Sequence, residues 1–290
     1  MSYAVEVVAQ RLAFPEGPVA EPDGSIVLVE VAGGTLARID PGSGRRTVIA
    51  DIGGGPNGCH PVAGGGFVVA QNGGFDFGGR VEWFPPHQPV PPGLVLVAAD
   101  GSYRYLWIDG AIAPNDVAVD AGGVLWLTDP GPAPPEPGRM IGSVLRFDGE
   151  QARAMAEGLA FCNGIEAMPD GDLAFVEGPG VMRISQDGEV DWVVREAGPA
   201  GADGLAVDAD GNLYVAACRD HVIRVFDPTG TQLEVIDLPG EGFATNCCFG
   251  GADNRTLFVT DGIPGALLAV DGMPVPGLPI KPATAAGLGT

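Results

Sequence analysis

The most constraining feature of this 290-residue sequence is a short pattern that occurs six times. Each copy is a run of β-forming residues, a turn of Asp-Gly or Gly-Gly type, and a second run rich in Val, Leu, Phe, Tyr or Trp. Asp-Gly between two such runs is a strong signal for a β-hairpin. The six copies are residues 19–30, 61–71, 117–129, 165–177, 205–217 and 248–261.

A second strand pair with its own turn follows the hairpins, as in "HVIRVFDPTGTQLEVI" (221–236). Four strands per unit, six units and a spacing of roughly 40 to 57 residues are typical of propeller blades. We therefore predict an all-β protein, a six-bladed β-propeller of four-stranded blades that forms a single domain over residues 1–290. The initial "YAVEVVAQRL" (3–12) should complete the last blade and close the ring, while residues 281–290 should form a loose C-terminal tail.

Composition restricts the partners of the protein. A net charge of −22 and a single lysine, Lys281, argue against binding to nucleic acid or to an anionic membrane, and against lysine-based catalysis. We expect a small-molecule substrate instead, and the sequence leaves the oligomeric state open. The N-terminus lacks a secretory signal pattern, and the five cysteines contain no CxxC motif, so we expect a cytoplasmic protein with reduced thiols.

Counting seven residues back from each hairpin turn reaches Glu, Asp or Asn in every copy. In a propeller the first strand of each blade lines the central channel, so these positions should form one ring around the axis. A preference of Asn and Asp for turns explains any one position, but it explains six registered positions poorly. The predicted ring is Glu16, Asn57, Asn115, Asn163, Asp203 and Asn246.

Two carboxylates buried in a narrow channel need a cation, because burial and mutual repulsion both penalise the charged forms. Ligation by oxygen alone favours a hard ion. We expect one divalent cation, with Ca²⁺ as the first choice and Mg²⁺, Mn²⁺ or Zn²⁺ as alternatives. On this interpretation Glu16, in "FPEGPV", is a metal ligand.

With these residues in place, nearly the whole chain resembles the family of senescence marker protein 30, gluconolactonase and luciferin-regenerating enzyme. The motifs that carry the resemblance are "FPEGPV", "APNDVAVDAGGVLWLTDPG", "FCNGIEAMPDGDLAFVE", "GADGLAVDADGNLYVAA" and "TNCCFGGADNRTLFVTD". The resemblance implies a six-bladed propeller with one divalent cation in its channel. It also implies that Glu16, Asn163 and Asp203 are direct ligands, and that Asn115 is a further ligand or a contact to substrate.

The resemblance implies metal-dependent opening of a lactone. The cation would polarise the carbonyl, and water would be activated on the metal or by Asp203, so we expect Asp203 and Glu16 to be catalytic. Two alternatives remain: hydrolysis of a phosphotriester or another ester on the same metal, and a non-catalytic propeller that binds a ligand. The animal sugar-acid lactonases of this family carry Arg two residues before the Asn of the third blade. Ala113 stands there in this chain, which leaves room for a less polar lactone.

Further substrate contacts are predicted beside the ring. Asn57 and Asn246 belong to the ring itself, and His60 follows Asn57 closely as either a proton shuttle or a structural histidine. Two long segments, 71–93 and 130–142, should open beside the ring. The first carries aromatic residues, including Phe75 and Trp83, that either cover a bound ligand or pack on the blade beneath.

Overall fold

The structure, a computed structural model, describes residues 3–79, 81–86, 88–131, 138–198, 201–284 and 286–288. Within these ranges 24 strands form six four-stranded antiparallel sheets, so the predicted six-bladed β-propeller is confirmed. The one helix in the same ranges is a 3₁₀ turn at Ala286–Leu288. No described helix has the length and apolar character needed to span a membrane. Parts of segment 130–142, together with residues 285, 289 and 290, lie outside the described residues.

The strands follow one another from the inside of each blade to its outside. Blade 1 contains β2 (Pro15–Ala20), β3 (Ile26–Glu30), β4 (Thr35–Asp40) and β5 (Arg45–Asp51). Blade 2 contains β6 (Pro56–Pro61), β7 (Phe67–Gln71), β8 (Gly93–Val97) and β9 (Tyr103–Trp107). Blade 3 contains β10 (Val117–Val119), β11 (Leu125–Asp129), β12 (Gly142–Phe147) and β13 (Ala152–Leu159).

The second half of the ring repeats this arrangement, and its last blade combines both ends of the chain. Blade 4 contains β14 (Cys162–Ala167), β15 (Leu173–Glu177), β16 (Gly180–Ile184) and β17 (Val190–Val194). Blade 5 contains β18 (Ala202–Val207), β19 (Leu213–Ala217), β20 (Val222–Phe226) and β21 (Gln232–Asp237). Blade 6 contains β22 (Ala244–Gly250), β23 (Thr256–Asp261), β24 (Ala266–Val270) and, as its outer strand, β1 (Val5–Gln10).

The pairing of β1 with β24 closes the ring. The two strands are antiparallel, with Val5 opposite Val270 and Gln10 opposite Ala266. The N-terminal strand therefore completes the sixth blade, as the sequence predicts. β1 is thus hydrogen-bonded into blade 6, and the chain continues from it directly into β2 of blade 1. This links the last blade to the first and covers the edge of β24.

The Asp-based turns of the sequence pattern are held by their own side chains. In blade 3 the Oδ1 atom of Asp120 accepts hydrogen bonds from the N–H groups of Gly122 and Val124, at 2.8 and 3.0 Å. Its Oδ2 atom accepts one from Nε1 of Trp126 at 3.0 Å, and Trp126 is fully buried. The carboxylate thus fixes the turn and satisfies a buried donor at once.

The hydrophobic core lies between neighbouring blades. Ala118 and Trp126 of blade 3, for example, share one cluster with Ile165 and Phe175 of blade 4. Each blade therefore buries both faces, which accounts for strands such as β3 and β11 in which every residue is buried.

Glycine follows the predicted ring residue in four blades because the inner strands nearly touch around the axis. A Cβ atom on Gly17 would lie 2.7 Å from Cα of Gly58, and one on Gly164 would lie 2.6 Å from Cα of Gly204. A Cβ atom on Gly204 would overlap the amide of Asn246. Real Cβ atoms do not approach their neighbours so closely, so a larger residue would force the blades apart.

The C-terminal segment differs from the loose tail that its composition suggests. Ala283 is fully buried, its N–H donates to the carbonyl of Pro61, and its carbonyl accepts from the N–H of Ala63, both at 2.8 Å. Leu288 is buried in the core between blades 2 and 3. Residues 278–282 lie across the end of the central channel opposite the predicted ring. Backbone pairing of Ala283 with β6 and apolar burial hold this segment in place.

Substituting Gly204 tests the close approach of the inner strands. We expect Gly204→Ala to lower the free energy of unfolding by about 1–3 kcal/mol, the usual cost of overpacking, because the new methyl group would displace Asn246. The measurement is urea denaturation followed by circular dichroism.

The matched control is Gly42→Ala, at a glycine whose added Cβ would make only an ordinary contact, 3.5 Å from Oδ1 of Asp40. It should change the unfolding free energy by no more than about 0.5 kcal/mol. Equal unfolding midpoints for the two variants would contradict the proposed crowding at the axis.

Candidate functional site

Five of the six predicted ring residues lie within the first strands of their blades, and Asn115 lies two residues before β10. The pairing of these five strands with their neighbours changes register at this level, for example between Glu16 and Val19 in β2 and between Ala202 and Leu205 in β18. A register shift of this kind bends the strand and re-aims a side chain. In these five strands the register shift lies at the level where the strand passes the propeller axis.

Five ring residues line a single cavity of about 580 Å³ at one end of the central channel. Glu16, Asn57 and Asn163 are buried there, and Asn115 and Asp203 are partly exposed. The ring therefore places carboxylates from blades 1 and 5 and amides from blades 2, 3 and 4 on one cavity wall. These five are Glu16, Asn57, Asn115, Asn163 and Asp203.

Asn246, the sixth ring residue, does not line that cavity. Its Nδ2 atom donates a 2.9 Å hydrogen bond to Oε2 of Glu16 and lies 3.5 Å from Oδ2 of Asp116. The N–H of Gly17 donates to the same Glu16 oxygen. Asn246 therefore orients Glu16 from beneath, whereas the sequence predicted a contact to substrate.

Asp116 lies beneath the ring, where the sequence pattern of blades 1, 2, 4 and 5 has glycine. Its Oδ1 atom accepts from the N–H of Val117 at 2.8 Å, and its Oδ2 atom accepts from the N–H of Ile165 at 3.3 Å. Burial raises its pKa to about 6, against the effect of these hydrogen bonds. It adds a third carboxylate to the channel just below the cavity.

The two ring carboxylates lack a cationic partner among the described residues. Burial, followed by the charges of Asp203 and Asp116, raises the pKa of Glu16 well above its ordinary value. Burial raises the pKa of Asp203 to about 7, a hydrogen bond from Asn163 opposes the rise, and Asp116 adds to it. No Arg or Lys side chain of the described chain lowers either pKa. Such a pair is stable in its charged form only beside a cation.

The donor set fits a hard divalent cation. Carboxylate oxygens of Glu16 and Asp203, with amide oxygens of Asn163 and Asn115, are available on one wall. Within the described ranges no group of three or more His, Cys, Asp or Glu side chains could hold a metal ion, so a cation would have to combine carboxylates with amides. Oxygen donors of this kind suit Ca²⁺, Mg²⁺ or Mn²⁺ better than Zn²⁺, which prefers nitrogen and sulfur.

His60 lies away from the ring cavity. It follows Asn57 by three residues on β6, which at about 3.3 Å per residue places it about 10 Å further along the channel. There its Nε2 atom donates to the carbonyl of Lys281 at 2.8 Å, in a separate cavity of about 180 Å³ that also contains Glu166. Burial lowers the pKa of His60 to about 4. This position favours the structural alternative over the proton shuttle.

The aromatic residues of segment 71–93 divide between the two predicted roles. Phe75 lines the ring cavity. Trp83 does not line it: its ring packs edge to face on Phe84, with centroids 4.6 Å apart, and lies next to Gly265. Phe77 joins the two groups, because its ring lies 6.4 Å from that of Phe75 and 5.2 Å from that of Phe84.

The sequence analysis did not identify the residues that fix the loops leading into the inner strands. In five blades the second strand ends in an acidic or amide residue that accepts N–H groups from the loop leading to the ring. Asp129, for example, binds the N–H groups of Ile112 and Ala113, both at 2.8 Å. The corresponding sequence feature is an acidic or amide residue at the last position of the second strand in these five blades. These residues are Glu30, Gln71, Asp129, Glu177 and Asp261.

A second group was also missed. Three phenylalanines that come two or three residues before ring positions form part of the cavity wall, and so does the exposed Arg219. The spacing was visible in "FPE", "FCN" and "FATN", where Phe precedes the ring residue. These phenylalanines are Phe14, Phe161 and Phe243.

Known proteins share this fold over almost its full length. A luciferin-regenerating enzyme is 17% identical with a TM-score of 0.81, covering 98% of this chain and 100% of that one. A gluconolactonase from Xanthomonas campestris is 24% identical with a TM-score of 0.74, covering 94% and 89%. A calcium-binding regucalcin from Agrobacterium tumefaciens is 19% identical with a TM-score of 0.79, covering 98% of both chains. At these identities the likeness shows the fold.

Sequence relatives match over shorter segments. Regucalcin of Xenopus laevis is 41% identical over 64 residues, which is 22% of this chain and 21% of the relative. Regucalcin of Sus scrofa is 35% identical over 94 residues, 28% of this chain and 31% of the relative. The matched segments thus span less than a third of these relatives.

The family model described as "SMP-30/Gluconolactonase/LRE-like region" matches residues 14–262, which include the whole ring from Glu16 to Asn246. The chain belongs to the SMP-30/gluconolactonase/LRE-like family.

Proposed function

We propose that this protein is a divalent-cation-dependent hydrolase that opens lactones in the ring cavity. The observation that carries the proposal is the pair Glu16 and Asp203, which share one cavity wall with three amides and have no cationic partner among the described residues. Membership of a family that includes gluconolactonases supports the choice of reaction.

Glu16, Asn163, Asp203 and Asn115 would hold the cation, with Ca²⁺ as the first choice and Mg²⁺, Mn²⁺ or Zn²⁺ as alternatives. When bound, the cation would supply Lewis-acid polarisation of the lactone carbonyl. The name of the related Agrobacterium tumefaciens protein, a calcium-binding regucalcin, agrees with the choice of Ca²⁺.

The side chains of the ring have separate tasks in this proposal. Gly17 and Asn246 fix Oε2 of Glu16, so that its carboxylate is oriented before any ligand arrives. Asn163 lies beside Asp203 and lowers the pKa of its carboxyl group, which favours the charged form. Asn57 and Asn115 present amides that can hydrogen-bond to the oxygens of the lactone.

Asp203 carries the proton in the proposed hydrolysis. Water adds to the carbonyl carbon and gives a proton to a carboxylate oxygen of Asp203. The bond between the carbonyl carbon and the ring oxygen then breaks, and Asp203 returns the proton to that oxygen. The product is the open-chain hydroxy acid, so one water is consumed and Asp203 is restored.

Metal content and activity should change together. We expect about one divalent cation per chain by elemental analysis, and loss of lactone hydrolysis on chelation with recovery on adding Ca²⁺. Because the cation binds only the folded ring, saturation at 100 times its Kd should stabilise the protein by about 2.7 kcal/mol, measured as a rise in Tm. Full lactonase activity after complete removal of divalent cations would refute the proposed role.

Substituting the two carboxylates separates binding from proton transfer. Glu16→Gln should lower the affinity for the cation. Asp203→Asn keeps the shape and one oxygen donor of the side chain but removes the proton acceptor, so kcat should fall by about 10²–10⁴-fold. Elemental analysis and steady-state kinetics on the same preparations measure both effects.

Asn57→Ala is the matched control within the ring, since Asn57 lines the cavity but is not a proposed ligand. It should retain the cation content of the unmodified protein. Unchanged metal content in Glu16→Gln would contradict its role as a ligand. Absence of turnover with every lactone and ester would favour a non-catalytic propeller, and phosphotriester turnover without lactone turnover would change the substrate.

A further inference from the structure

The wall above the ring is built from phenyl rings. Phe14, Phe75, Phe161 and Phe243 all line the ring cavity, and all four are half-buried, so part of each ring remains exposed. They come from the loops that enter blades 1, 4 and 6 and from segment 71–93. Exposed apolar groups gathered in one cavity are typical of a binding site for an apolar ligand.

Local hydrogen bonds hold this wall in position. The N–H of Phe243 donates to Oδ1 of Asp261 at 2.8 Å, and the N–H of Phe161 donates to Glu177 at 3.3 Å. Phe14 has a left-handed backbone, with φ of 59°, and its carbonyl accepts from the N–H of Val31 at 3.0 Å. Three of the rings are thus attached to backbone that is fixed before a ligand binds, which lowers the cost of binding.

Contacts between the rings extend the wall toward segment 71–93. The ring of Phe14 lies 6.2 Å from that of Phe243 and 5.0 Å from that of Phe77, whose ring is 6.4 Å from that of Phe75. These separations lie in the range of favourable aromatic pairs. The rings of Phe14, Phe75, Phe77 and Phe243 therefore form one connected apolar surface above the amides and carboxylates of the floor, and Phe161 lines the same cavity.

Polar side chains above the ring are scarce in the described part of the chain. Among the described lining residues outside the ring, Arg219 is the one with a side-chain nitrogen, and it is exposed. Ala113 is buried, and its N–H is bound to Asp129, so this position offers no polar side chain to the cavity. A substrate with many hydroxyl groups would exchange hydrogen bonds with water for contacts with phenyl rings, which is unfavourable.

We propose that the lactone taken by this site carries an alkyl or aryl substituent, which packs on Phe14, Phe75, Phe161 and Phe243 while the ester lies at the floor. This inference rests on the proposed function and adds the substrate class to it. A cavity of about 580 Å³ can hold a lactone ring together with such a substituent.

The test is a series of δ-lactones with the same ring and a 5-alkyl group that lengthens from methyl to hexyl, with glucono-δ-lactone for comparison. Each methylene that leaves water should raise kcat/KM about three- to fourfold until the wall is covered. A flat or falling series, or a higher kcat/KM for glucono-δ-lactone than for every alkyl lactone, would overturn the inference.

Two substitutions of Phe75 test whether the phenyl rings cause the rise of kcat/KM with chain length. Phe75→Leu keeps an apolar side chain and should retain the rise of kcat/KM with chain length, whereas Phe75→Asn should flatten it. Thermal unfolding of both variants checks that they fold. Equal slopes for Phe75→Leu and Phe75→Asn would show that the substituent does not contact this surface.

A binding measurement separates the inference from the proposed function. Matching δ-lactams resist hydrolysis, and calorimetry on the cation-loaded protein should give Kd values that fall about three- to fourfold per methylene. Tighter binding along the lactam series without hydrolysis of any lactone would support the apolar wall and reject the lactonase. Lactone hydrolysis with no dependence on chain length in either series would support the lactonase and reject the apolar wall.

Discussion

The closeness of the inner strands around the axis is the constraint on which the rest of the structure depends. At Gly17 and Gly164 the neighbouring backbone leaves no room for a Cβ atom, and at Gly204 an amide fills that space. Strands this close bring the residue before each glycine to the same channel. The packing that closes the propeller thus also gathers polar side chains at one point, where they would be costly without a ligand.

The ring is organised in two levels. Glu16 and Asp203 face the cavity, while Asn246 and Asp116 lie beneath and bind the groups above them or the backbone of the next blade. The negative charge of Asp116 increases the repulsion that Glu16 and Asp203 already experience, as their raised pKa values indicate. Above both levels the cavity wall is formed by phenyl rings. The cavity is therefore charged at the ring and apolar above it.

Much of this could be predicted from the sequence because the repeat fixes both the fold and the level of the ring. The hairpin pattern predicted six blades, the ring closure by β1, and a polar ring of which five of the six residues line the cavity. Counting positions along the sequence could not show that Asn246, unlike the other ring residues, does not line the cavity. The direction of its side chain depends on contacts with Gly204 and Glu16 in neighbouring blades. It could not place His60, whose strand runs away from the ring, or distinguish Phe75 from Trp83 in one loop. The C-terminal segment was misjudged because backbone pairing, which composition does not reveal, holds it.

The position of that C-terminal segment limits access to the central channel. Ile280 reaches the small space under the ring, and residues 278–282 cover the far end of the channel together with His60 and Glu166. Among the described residues, the channel is therefore covered at the end opposite the ring cavity. A ligand bound at the ring would then enter and leave through the same opening, past Phe14, Phe161 and Phe243.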